Sequence, residues 1–173
     1  MRNFIVMALA AVCLAACAST PNPIDLNTRN SFFVKQANVA WKVDESKRTP
    51  NAEYDAGKAD LQARLKGAVE AQFKTSPSGS EPVIFEIDVK NYSRVGAAMG
   101  NLIGGSNMIV ADVHVLRESD HSEVAVYTNV AGAYASNGGI IGAIAQAASK
   151  PDIVGIMANT FAANLRARFD AKK

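Results

Sequence analysis

Apolar and polar side chains alternate with a period of two in four stretches of the chain and recur at helical spacing in two others. In VIFEIDVKNY, Val83, Phe85, Ile87 and Val89 face one way and Glu86, Asp88 and Lys90 the other, which predicts a half-buried strand. MIVADVHVLRE and EVAVYTNVAG repeat the pattern, and Ser119, Asp120, His121 and Ser122 between them predict a hairpin turn. Earlier, FFVKQANVAWKV puts Phe33, Ala37, Val39, Trp41 and Val43 on one alternating face that Lys35 interrupts. The helical stretches are EYDAGKADLQARLKGAVEAQFK, with Tyr54, Leu61, Leu65, Ala68, Val69 and Phe73 on one side, and a last segment striped by Val154, Met157, Phe161, Leu165 and Phe169. Thr49-Pro50 predicts a cap for the first helix. Ser149-Lys150-Pro151-Asp152 resembles a capping box for the second, with aspartate in its third position after the cap.

The predicted order is β-α-β-β-β-α. A right-handed crossover makes the first two strands parallel and the later connections make the rest antiparallel. This is an α+β fold, a single mixed sheet packed with two amphipathic helices, since that arrangement buries every apolar face. No repeat and no internal boundary divides it, so residues 31–173 are expected to form one domain.

Two connecting segments are unusual. VGAAMGNLIGGSN lies between the second and third strands, and AGAYASNGGIIGAIAQAAS follows the fourth; both are apolar, rich in glycine and nearly uncharged. In a meander, both emerge at the same end of the sheet, opposite the Ser119–Ser122 turn. Gly96, Gly100 and Gly104 are spaced by four, as are Gly138 and Gly142, a small-residue spacing that allows close helix contact. One reading is ordered loops covering the end of the sheet, with glycine chosen for turns. The functional alternative is an exposed apolar end at Gly96, Gly100, Gly104, Gly105, Gly138, Gly139, Ile140, Ile141 and Gly142 that contacts a partner, a second copy or lipid. Neither segment is long enough to span a bilayer.

The formal charge of +2 argues against a nucleic-acid partner recognised by bulk charge. The chain has two histidines. His114 shares the polar side of a strand with Asp112, and a third metal ligand is not evident. Ser119, Asp120 and His121 contain the residue types of a hydrolase triad, but as sequence neighbours with no nucleophile-elbow pattern. Glu86 and Asp88 lie on one strand face in the same row as Lys90, which fits a solvated face better than an acid–base pair. Trp41 reads as core. The glycines match no phosphate-binding or dinucleotide-binding loop, so no cofactor, metal or catalytic residue is expected.

The N-terminus carries the most specific signal. Arg2 precedes an uncharged run from Phe4 to Ala16, the form of a secretory signal, whose helix would rise only about 20 Å against a bilayer core of about 30 Å. Leu14-Ala15-Ala16-Cys17 resembles the bacterial lipobox. By that resemblance residues 1–16 are a signal peptide, cleavage falls between Ala16 and Cys17, and Cys17 carries the lipid. Several acyl chains hold firmly where one binds only reversibly. Cys13 is discarded with the signal, so no thiol remains for disulfides or thiolate metal sites. Ala18, in place of the aspartate that resembles an inner-membrane retention signal, favours the outer membrane and its periplasmic face. Residues 17–30 then read as the lipidated end and a tether, whose 18–30 portion spans about 45 Å when fully extended.

The ensemble resembles small, mostly uncharacterised bacterial envelope lipoproteins, and more loosely the curli-secretion lipoprotein and the auxiliary lipoproteins of lipid-transport systems. The resemblance is specific at Leu14 to Cys17; elsewhere it rests on strand order and on GGIIGAIAQAA before the last helix. It implies a non-catalytic binding or scaffold module that docks on an envelope protein, or on itself, through the glycine-rich end. The alternative is an oligomeric secretion or transport component whose glycine-rich segments touch membrane.

Overall fold

Four residues of the second alternating stretch, Val83, Phe85, Ile87 and Val89, are completely buried, and the rest of the molecule is arranged around the face they define. The computed structural model describes residues 22–46, 52–75, 77–94, 105–136 and 151–172. Its elements are α1 (Leu26–Ser31), β1 (Phe32–Trp41), α2 (Ala52–Phe73), β2 (Glu81–Ser93), β3 (Gly105–Arg117), β4 (Glu123–Ser136) and α3 (Ile153–Asp170). The strands form one sheet in the order β1-β2-β3-β4, with β1 parallel to β2 and the other pairs antiparallel. The expected α+β architecture is therefore present, with α1 added before the first strand.

Helices α2 and α3 pack on each other, α2 against β1 and α3 against β4. Tyr54, Leu61, Leu65, Val69 and Phe73 of α2 and Val154, Met157, Phe161, Leu165 and Phe169 of α3 are buried, as their spacing predicts. Ring centroids of Phe73 lie 5.0 Å from Phe85 and 5.3 Å from Phe169, both edge to face. Such pairs add about 0.5–1.5 kcal/mol each beyond the apolar area they bury. Asp152 caps α3 by accepting the backbone N–H of Gly155 at 3.1 Å. The cap is thus the aspartate itself and not the serine of a capping box; Ser149 lies outside the described residues, as does Thr49-Pro50.

Bulges explain where simple alternation misleads. The β1–β2 register slips between Val34 and Gln36, so Lys35 is an extra residue and the parity of the strand changes across it. Phe32 is consequently fully buried while Phe33 is 36% exposed, which corrects the expectation that Phe33 shares a face with Ala37. A second slip at Lys90 turns Tyr92 inward after Val89. A third sets Asp112 opposite Thr128 and Asn129, where Asn129 takes φ 53°, a left-handed conformation that asparagine tolerates. Its N–H donates to Asp112 Oδ1 at 2.8 Å.

The other correction concerns the tether. Asn22 and Ile24 are buried and Asp25 caps α1, accepting the N–H groups of Asn27 and Thr28. Residues 22–30 are therefore part of the folded domain and not of a free linker, and the domain begins before residue 31.

Gly132 sits under α3, where a Cβ would lie 2.2 Å from the Met157 carbonyl oxygen and 2.7 Å from Phe161 Cβ. Gly67, on the exposed side of α2, has nothing within 4 Å of such a carbon. Gly132→Ala is expected to destabilise by about 2 kcal/mol or more, by forcing helix and strand apart. Gly67→Ala is expected to stabilise by about 0.5–1 kcal/mol through backbone entropy. Urea unfolding of the two variants measures both signs.

Candidate functional site

The registers place the functional candidates at two opposite ends. Ser93 pairs with Met108 and Gly105 with Ser136, so the chain enters and leaves the first glycine-rich segment, and enters the second, at one end of the sheet. The turn between Arg117 and Glu123 is at the other end. Gly105 is the first residue of β3. Gly96, Gly100, Gly104, Gly138, Gly139, Ile140, Ile141 and Gly142 lie outside the described residues, as do Ala16 and Cys17.

At the end away from the glycines, the N-terminal segment is bound to the last turn of α3. The Asn22 side-chain amide donates to the carbonyls of Phe169 (2.9 Å) and Ala171 (2.8 Å), two groups that a helix terminus cannot satisfy internally. Its Oδ1 accepts from the Ile24 N–H at 3.1 Å and the Tyr127 hydroxyl at 2.9 Å. Arg29 Nη1 donates to the same Phe169 carbonyl at 2.7 Å, a cation at the negative end of the helix dipole. Burial pushes the Tyr127 phenol well above its ordinary pKa, outweighing the opposing charges of Arg29 and Arg168, so it stays a hydrogen-bond donor. This junction gave no sequence signal, because its partners are 147 residues apart.

The polar candidates of the strands are engaged in pairs. His114 Nδ1 lies 2.6 Å from Glu123 Oε2. Asp112 lies 2.8 Å from the Lys90 ammonium. Partial burial opposes ionisation of Asp112, yet Lys90 and the Asn129 N–H hold its carboxyl below the usual carboxylate range. Ser119, Asp120 and His121 form the turn: Asp120 accepts the N–H and hydroxyl of Ser122, which lower its pKa, and His121 takes φ 57°. Glu86 is exposed and Asp88 half-buried, on the sheet face away from the helices. Among the described residues no group of three potential ligands is placed to hold a metal ion, and no helix is long and apolar enough to cross a membrane.

At the glycine-rich end, β1, β2 and α2 converge on an aromatic cluster. Trp41 is 5.4 Å from Tyr92 and 6.4 Å from Tyr54, and the two tyrosine rings are 4.8 Å apart. Trp41 is only half-buried, so the core reading holds for part of its surface: its Nε1 donates to Glu45 at 2.7 Å, and the Lys58 ammonium stands 4.9 Å from the ring centroid. Lys58 also pairs with Glu45. Gly57 is needed here, because a Cβ would lie 2.3 Å from the Tyr92 hydroxyl and 3.6 Å from Arg94 Nη1. Tyr92 and Arg94 were not singled out by pattern; the bulge at Lys90 is what turns Tyr92 inward.

No family model matches the chain, and no curated protein matches it in sequence. Solved structures similar to it include a point variant of the PelC dodecamer from Paraburkholderia phytofirmans (14% identity, 89% of this chain and 95% of that one, TM-score 0.43). A candidate lipoprotein from Caulobacter crescentus CB15 is similar at 14% identity, covering 76% of this chain and 86% of that one, with TM-score 0.41. A Xanthomonas campestris protein is similar at 16% identity, covering 88% and 86%, with TM-score 0.39.

Removing the Asn22 side chain leaves two helix-end carbonyls and a buried phenol without their partner. Asn22→Ala is expected to cost about 3 kcal/mol in denaturant unfolding and to raise amide exchange across residues 24–31. Unchanged exchange there shows that the junction does not hold the segment.

Proposed function

We propose that this chain is a non-catalytic envelope lipoprotein, anchored through acylated Cys17 to the periplasmic face of the outer membrane, whose glycine-rich end binds an envelope protein. The observation that carries the reading is the capture of Asn22 by α3. Only four residues, 18–21, separate Cys17 from Asn22. Fully extended, that link reaches about 17 Å. Tyr127, which touches Asn22, is separated from the glycine-rich end by the remainder of β4, a rise of about 25 Å. A domain so attached cannot turn end over end, and its glycine-rich end is presented away from the leaflet that holds the lipid.

The engaged state of the polar pairs supports a binding role over a hydrolytic one. His114, Asp112 and Asp120 each serve a neighbouring side chain or turn. Cys17→Ser is expected to move the protein from the membrane to the soluble fraction, and mass spectrometry of the wild type to show an acylated N-terminus; a lipid-free native N-terminus overturns the anchor. Photo-crosslinkers at Gly105 and Lys172 test the docking end, with protein adducts expected at Gly105 and not at Lys172. Gel filtration in detergent then distinguishes a one-to-one complex from a ring of copies.

A further inference from the structure

We propose that Arg94 and Tyr92 form a binding site for a carboxylate group at the glycine-rich end of the sheet. Arg94 Nε and Nη1 and the Tyr92 hydroxyl are buried; among the described residues neither Arg94 nitrogen has an acceptor of good hydrogen-bond geometry, and the Tyr92 hydroxyl has only the Arg94 guanidinium beside it. Tyr92 is 5% exposed. Folded proteins satisfy nearly all buried polar groups, and two buried guanidinium nitrogens without an acceptor, on an arginine that is itself half-buried, are a costly exception. Three such donor atoms beside one another call for an acceptor-only, negatively charged partner. A carboxylate has two oxygens with about four lone-pair sites and suits the planar edge of a guanidinium.

Two of the nearby carboxylates among the described residues are engaged elsewhere. Asp60 is bound to Arg64 at 2.7 Å, and Glu45 takes the Trp41 indole N–H and Lys58. Burial raises the Tyr92 pKa, with Arg94 opposing and the charge of Asp60 adding, so the phenol keeps its proton and can donate it in a hydrogen bond. Gly57 makes room for the hydroxyl beside Arg94, where any larger residue would meet it. The rings of Trp41 and Tyr54 next to Tyr92 offer an apolar wall for the carbon stem of the bound acid. The same chemistry is available from a free small acid or from an acidic side chain of a docked protein. The site stands independently of the lipid anchor.

Trp41 is the only tryptophan and lies 5.4 Å from Tyr92, so its fluorescence reports the site directly. The full chain in detergent is titrated with sodium acetate, with N-acetyl-aspartate amide, and with acetamide at matched ionic strength, while the Arg94 Nε–H signal is followed by NMR. A saturable change with either acid and none with acetamide is the expected result. Tighter binding of the blocked aspartate points to a protein side chain as the source, and tighter binding of acetate to a free acid. Arg94→Gln is expected to abolish the response, and Tyr92→Phe to weaken it about ten-fold. Circular dichroism confirms that each variant is folded, and the Tyr92→Phe arm decides if Arg94→Gln is not. Absence of a saturable change with both acids, an equal response to acetamide, or binding retained in the Arg94→Gln variant overturns the site.

Discussion

The last turn of an α-helix ends in carbonyls that the helix itself cannot use, and in this protein two of them are taken by the amide of Asn22. That single side chain joins the segment before β1 to the end of the last helix. It also holds the Ile24 N–H and the Tyr127 hydroxyl, so α1, β4 and α3 meet at one point. The segment runs from there directly into Phe32, which is fully buried and whose carbonyl accepts the Gly79 N–H at 2.8 Å. The entry of β1 is thereby fixed at both ends, by helix carbonyls on one side and by the loop before β2 on the other. Each bond is modest against water, yet the groups it satisfies are buried, and leaving them unpaired costs more than making them gains.

The sheet obeys a second constraint, imposed by its bulges. Each extra residue reverses inside and outside for everything beyond it. Lys35, Lys90 and the Thr128–Asn129 pair stand at these points. At Lys90 and Asn129 the consequence is a polar knot on the open face, where Lys90 bonds both the Asn129 side chain and Asp112. On the covered face the same irregularities bring Tyr92 and Val130 inward in phase with their neighbours.

These facts also separate what could be read from the chain alone. The faces of α2, α3 and the 83–89 stretch were legible because burial there follows an unbroken local period. Phe33 was misplaced because a bulge leaves almost no mark in composition: Lys35 interrupted the apolar face, but a polar residue in the row and an inserted residue look alike. Asp25 as the cap of α1 went unread because its segment has little apolar pattern, and the capture of Asn22 depends on a partner 147 residues away. Arg94 illustrates the same limit. A lone arginine after a strand is usually solvated, and its approach to Gly57 and to the inward-turned Tyr92, with two of its nitrogens buried, has no mark in the sequence.

Taken together, the two ends of the molecule divide the labour in a way that the chain's order makes necessary. A parallel β1–β2 pair requires the crossover helix α2 to return the chain to the edge where β1 began. β2 and β4 must then finish at the opposite edge, and the segments following them carry the glycine. α3 runs back from that edge, since Gly132 lies under Met157 and Phe161 while Arg168 reaches the Thr128 carbonyl at 2.6 Å. Its C-terminal carbonyls therefore arrive at the end of the sheet where β1 begins, and the bond to Asn22 forms there. On the proposed reading, lipid is attached just outside this closed end and recognition occurs at the other. The separation follows from strand direction alone, so lengthening the link would release the orientation without altering either end.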